Sequence, residues 1–159
     1  MSAVVTAQTG PVDERHLIPE GYTGFVTIVF GVPSAPRASA SARIRNYRVP
    51  PSGFLLVRED PPVTVRTRQY YWVRADGSLK AFPGREPAGE TAGASIVTIY
   101  NHVRNRMAPG GGQQCEAVFD GYFVGTGADL QRIDYDAQRR KLYNFIETAP
   151  LCAPGKDRP

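Results

Sequence analysis

Two histidines, His16 and His102, are the only imidazoles in the 159 residues. A zinc site needs more nitrogen or thiolate ligands, or clustered carboxylates, and the sequence shows neither. No metal or cofactor is therefore expected. No GxSxG elbow or comparable motif marks a nucleophile. His102 follows Tyr100 and Asn101 in a β-rich run. It reads either as a hydrogen-bonded strand histidine or as the general base of a metal-free hydrolase. Gly110-Gly111-Gly112 lacks the Lys-Ser/Thr of a phosphate-binding loop and the helix that should follow it. The expectation is no enzyme active site.

The better candidate is a binding face. In Val63–Arg74, residues Arg66, Arg68, Tyr70, Trp72 and Arg74 alternate on one side of a single strand. Arginine interleaved with tyrosine and tryptophan makes stacking surfaces and protein hot spots. The bland alternative is that Tyr70 and Trp72 pack against another layer, with the arginines at its rim. His102 joins this set as a candidate binding residue. The expected partner is another protein or a surface glycan. Nucleic acid is disfavoured, because a net charge of +4 is modest and the arginines are scattered.

Cys115 and Cys152 are the only cysteines. They are expected to form a disulfide in an exported protein, closing a loop worth on the order of 3–4 kcal/mol. Two buried thiols in a cytosolic protein is the competing reading. No CxxC is present, so a zinc ribbon or a thioredoxin-type site is excluded as a motif.

The elements that must hold these residues are short strands. The stretch His16–Gly31 organises the chain. Pro19-Glu20-Gly21 reads as a turn, and Phe25–Phe30 is an uncharged run apolar on both pleat faces. Such a strand belongs in the middle of a layered structure. Residues 34–43 read as a loop. Further strands are expected near Arg45–Val49 and Phe54–Arg58, and then Val63–Arg74. Asp76-Gly77 predicts a type I′ hairpin turn into Leu79–Phe82. Pro83–Gly93 reads as a polar loop. Strands follow near Ile96–Val103 and Cys115–Val124, the latter bent at Gly121. Thr126 and Asp129 predict a helix start. The helix runs to about Ile146, with a slip in its apolar spacing that divides it in two or turns its end into a strand.

The fold class is thus mainly β: a single-domain sandwich or open barrel of about seven short antiparallel strands, with one C-terminal helix. Residues 1–15 read as a flexible lead-in, 16–152 as the domain, and 153–159 as a frayed tail. No window approaches the ~20 apolar residues of a membrane-spanning helix. The start, MSAVVTAQTG, reads either as the end of a signal peptide, with Val5 and Ala7 as its small-x-small pair, or as an unstructured terminus.

Four pieces follow one another along the chain: Ile18-Pro19-Glu20-Gly21-Tyr22-x-Gly24, Tyr47-x-Val49-Pro50 with Ser52-Gly53, Tyr70-Tyr71-x-Val73 with Asp76-Gly77, and Phe123-Val124-Gly125-Thr126. Together they resemble an uncharacterised bacterial family of small exported proteins and lipoproteins, over roughly Leu17 to Asp129. The resemblance implies a small β-rich domain with a periplasmic or extracellular address, and it carries over no catalytic residue. The chain departs from the lipoprotein members in having no cysteine near its N-terminus for a lipid. The function expected is a non-catalytic binding or interaction domain of the envelope or extracellular space. The alternatives are a small cytosolic inhibitor or partner protein, or the metal-free hydrolase.

Overall fold

The computed structural model describes residues 10–41, 43–82, 97–107 and 116–151. Nine strands and two helical segments lie among them. One sheet has five strands: β3 (Ser39–Ser41), β4 (Ile44–Arg48), β1 (Val12–Pro19), β6 (Val65–Val73) and β7 (Leu79–Ala81), in that spatial order. The second has four: β5 (Phe54–Leu56), β2 (Gly24–Phe30), β9 (Ala117–Gly125) and β8 (Thr98–Met107). The two sheets share one apolar core, so the expected sandwich is what the chain forms.

β2 has the place its composition demands. Val26, Ile28 and Phe30 meet Ile18 and Tyr47 of the other sheet in one core. Val29, from the opposite face, packs with Ala117 and with Ile146 of the C-terminal helix. A strand apolar on both faces is stable only when both faces are covered, and here sheet and helix cover one each. Phe54 stacks on Phe145 with ring centroids 4.4 Å apart, extending the helix contact to β5.

That helix comes in two pieces, α1 (Gly127–Gln131) and α2 (Tyr135–Thr148), broken where the apolar spacing slips. Thr126 and Asp129 form a reciprocal capping box at the start of α1, and Asp134 caps α2.

Four expectations are corrected. The lead-in does not run to Arg15: β1 begins at Val12, and Glu14 is fully buried. The stretch 34–43 is not all loop, since β3 forms within it. The strands are not all antiparallel, because β1–β4, β1–β6 and β2–β5 pair parallel. The β6–β7 hairpin exists, but its turn is not type I′. Only Gly77 (φ +82) is left-handed there, and the Gly77 N–H bonds back to the Arg74 carbonyl. This is a three-residue loop with a glycine bulge, which Asp-Gly also suits. The proposed Cys115–Cys152 bond, Gly110–Gly112, the Pro83–Gly93 loop, the first nine residues and the 153–159 tail lie outside the described residues.

Candidate functional site

Strand alternation on β1 sends Val12, Glu14, His16 and Ile18 into the space between the sheets. Each meets a lateral partner on the neighbouring strands. Glu14 stands opposite Arg68 of β6, and His16 stands opposite Tyr47 of β4 and Tyr70 of β6. β9 contributes Asp120 and Tyr122 from the second sheet, both buried.

β8 supplies the rest by an irregularity. Tyr100 opposes Phe123 and Val103 opposes Gly121, so Asn101 and His102 share one partner position. Asn101 takes φ +52, a left-handed conformation that asparagine tolerates better than most residues. The extra residue flips the parity of the strand. Ile99 faces inward before the bulge, and His102 and Arg104 face inward after it.

The result is a polar cluster between the sheets, with its carboxylates and imidazoles buried and its guanidinium groups partly open to solvent. Glu14 accepts the Tyr47 hydroxyl (3.2 Å) and Arg68 Nε (2.9 Å). Asp120 accepts Arg104 Nε (2.7 Å) and Nη2 (2.9 Å) in a two-pronged pair. His102 stands between Tyr70, whose hydroxyl is 2.6 Å from Nδ1, and Asp120, 3.4 Å from Nε2. His16 lies 3.1 Å from the Tyr122 hydroxyl through Nδ1. Its ring has those of Tyr47, Tyr70, His102 and Tyr122 around it at 5.0–5.3 Å. Cross-links from Arg104 to Glu14 (3.8 Å) and from Arg68 to Asp120 (3.9 Å) join the two halves. Two carboxylates face two guanidinium groups, so the cluster balances its charge.

Protonation follows from this packing. Burial pushes the Asp120 carboxyl up, but hydrogen bonds from His102 and Arg104 outweigh it and bring its pKa down to about 2. Glu14 is likewise held below the ordinary glutamate range: burial opposes, and His16 and Arg68 prevail. Burial lowers His16 to about 4, outweighing the opposite pull of Glu14, so its imidazole is neutral at pH 7. Burial raises the Tyr122 hydroxyl, which stays protonated and can donate to His16 Nδ1.

The residues read as one face of β6 are divided in place and in role. Arg68, Tyr70 and His102 enter the cluster. Trp72 stacks on Phe82 at 4.2 Å and packs against the core. Arg66 is held by Asp13 through both Nε and Nη2 at a β1–β6 bulge. Arg74 lies 3.8 Å from Glu20, both well exposed, a pair worth little. Glu14, His16, Tyr47, Arg104, Asp120 and Tyr122 were not expected as site residues. Their signal was polar residues on the apolar parity of strands: Val12-x-Glu14-x-His16-x-Ile18 and Val118-x-Asp120-x-Tyr122-x-Val124.

Beside the cluster a hollow of about 590 Å³ follows β6 to the end of β7. Among the described residues it is lined by the run from Arg66 to Tyr71 and by Ala81 and Phe82. Arg68 and Tyr70 thus face the hollow with one part and the cluster with another. Among the described residues no group of three or more His, Cys, Asp or Glu side chains is arranged to hold a metal.

Two of the sequence pieces that carry the resemblance also meet in space. The Tyr22 hydroxyl donates to the Phe25 carbonyl (2.6 Å), beneath Gly53. Gly53 has φ +79, and a Cβ there would run into both that hydroxyl and that carbonyl. The glycine of Ser52-Gly53 and the tyrosine of the Pro-Glu-Gly-Tyr turn are therefore one packing unit.

Residues 11–115 match the Family of unknown function (DUF6843). The chain belongs to that family. The DUF6843 match takes in every cluster residue except Asp120 and Tyr122, which β9 adds beyond it. No curated protein matches the chain. Among solved structures it is similar to one named "Putative Lipoprotein from Bacillus anthracis", at 18% identity and a TM-score of 0.60, covering 87% of this chain and 96% of that one. The likeness is one of fold. Among the described residues no helix is long and apolar enough to cross a membrane.

Proposed function

We propose that this DUF6843 chain is a non-catalytic binding domain that works in the bacterial envelope or the extracellular space, with another protein or a surface glycan as its partner. The observation that carries this reading is the division between what is sealed and what is open. The groups suited to acid–base chemistry are shut between the sheets, the His102 side chain 1% exposed and Asp120 not at all. They are tied to one another rather than aimed at a substrate. The hollow on β6, by contrast, has the aromatic and polar walls of a ligand site and a volume within the usual range of about 300–1,000 Å³.

Histidine labelling tests the non-catalytic part. Diethyl pyrocarbonate should modify His16 and His102 of the folded protein at least a hundred-fold more slowly than in the urea-unfolded chain. Labelling of His102 at the unfolded rate would return the hydrolase reading, in which His102 serves as base beside Asp120.

The address is supported by the name of the Bacillus anthracis structure that shares the fold. An oxidising compartment would also let Cys115 and Cys152 pair. Protein recovered from the periplasmic, envelope or culture fraction of its own host should gain two hydrogens on reduction, read by intact mass. Recovery from the cytosol with both thiols labelling freely would favour the cytosolic partner protein instead.

A further inference from the structure

We infer that the hollow on β6 takes a sugar ring carrying a carboxylate, as in an acidic glycan; this rests on the binding reading above and narrows it to one ligand class. Two guanidinium groups and no carboxylate stand among the hollow's described lining residues. Both arginines are oriented from behind by the neighbouring strand. Asp13 holds Arg66 through Nε and Nη2, and Glu14 holds Arg68 through Nε. A guanidinium has five N–H donors, so each keeps donors beyond those the β1 carboxylates take. The Arg66 side chain is 57% exposed and that of Arg68 30%, which leaves them within reach of a ligand. Guanidinium groups fixed in this way match the planar geometry of a carboxylate.

The rest of the wall fits a ring with hydroxyl groups. Tyr70 and Phe82, an edge-to-face pair with centroids 6.4 Å apart, offer aromatic surface against which the C–H face of a pyranose can lie. Gln69 accepts the Tyr71 hydroxyl through Oε1 (3.0 Å), which turns its amide nitrogen to donor duty toward a sugar hydroxyl. An acidic peptide would satisfy the arginines equally well. The Tyr70 and Phe82 rings, centroids 6.4 Å apart beside the arginines, favour the sugar.

Trp72 gives a built-in reporter. It is the only tryptophan in the chain, and it stacks on Phe82, which lines the hollow. The full chain is titrated with trigalacturonate, with its fully methyl-esterified counterpart and with tetraglutamate, following Trp72 fluorescence and the heat of binding in parallel. Trigalacturonate should bind saturably, and the ester about ten-fold or more weakly, since it loses the charge-assisted bonds. The variant Gln69→Glu keeps the acceptor for Tyr71 at an exposed position. Acid and ester both lose the Gln69 amide donor, but only the acid meets like-charge repulsion, so trigalacturonate should weaken about ten-fold more than the ester. Equal binding of acid and ester, tighter binding of tetraglutamate, or no saturation with trigalacturonate overturns the inference. The first two outcomes leave the hollow a binding site for another class of ligand. In the third, the histidine labelling still decides the non-catalytic reading by itself.

Discussion

Replacing Arg104 with leucine should lower the free energy of unfolding at pH 7 by about 3–5 kcal/mol, the usual cost of stranding a buried charge. Asp120 is fully buried and owes its ionised state to the hydrogen bonds of His102 and Arg104. Arg104 also donates to the Pro62 carbonyl (3.0 Å) and lies 5.3 Å above the Phe30 ring. Without it, the remaining basic neighbours of Asp120 are His102 at 3.4 Å and Arg68 at 3.9 Å, both longer than the bonds lost. The double variant Arg104→Leu/Asp120→Leu should recover at least half of the loss, because no charge is then left unpaired. Urea unfolding followed by Trp72 fluorescence measures both. A double variant as unstable as the single one would mean that lost packing, rather than the stranded carboxylate, sets the cost.

Acid should loosen the sandwich well before ordinary carboxylates titrate. His16 titrates near 4 in the folded protein against 6.5 for an unperturbed histidine. Between those values the unfolded chain takes up a proton that the folded chain refuses. Stability is therefore full above about pH 6.5 and falls as pH drops toward 4. The gap corresponds to roughly 3 kcal/mol. The groups facing His16 are Glu14 on its own strand, Tyr47 on β4, Arg68 and Tyr70 on β6, His102 on β8 and Tyr122 on β9. Glu14 favours the imidazolium, but burial, His102 and Arg68 oppose it. Asp120, held near 2 against 3.8, takes over at lower pH: its contribution is present above about 3.8 and is lost as pH falls toward 2. Unfolding free energies at pH 7 and pH 4.5 should differ by a large part of the His16 amount. The variant His16→Phe should flatten the dependence across that window, whatever its absolute stability. A wild-type protein equally stable at both pH values would rule out a buried neutral His16.

Part of this fold could be read from local pattern. The uncharged run Phe25–Phe30 required cover on both faces, and it has a sheet on one and α2 on the other. The alternation of Val63–Arg74, the glycine hairpin at Asp76-Gly77 and the capping signal of Thr126 with Asp129 were likewise local, because turns and caps are made by neighbours in the chain. The slip in apolar spacing that begins at Ile133 falls at the break between α1 and α2 for the same reason.

What lay beyond the sequence was which faces are sealed and which strands run side by side. Period-two alternation puts Arg68 and Tyr70 on one face but cannot tell whether that face meets water or a second sheet. Glu14 resembled part of a polar lead-in, and His16 carried no sign of burial, because their partners are remote: Tyr47 is 33 residues from Glu14, Arg68 is 54, and Tyr122 is 106 from His16. A carboxylate can be buried only where guanidinium and hydroxyl groups converge on it, and parallel pairing of β1 with β4 and β6 brings them there. The left-handed residue Asn101 and the bulge it forms reverse the parity of β8 and turn His102 and Arg104 inward. Local preference thus determined the strands, while the charges within them found their places only through contacts between distant segments.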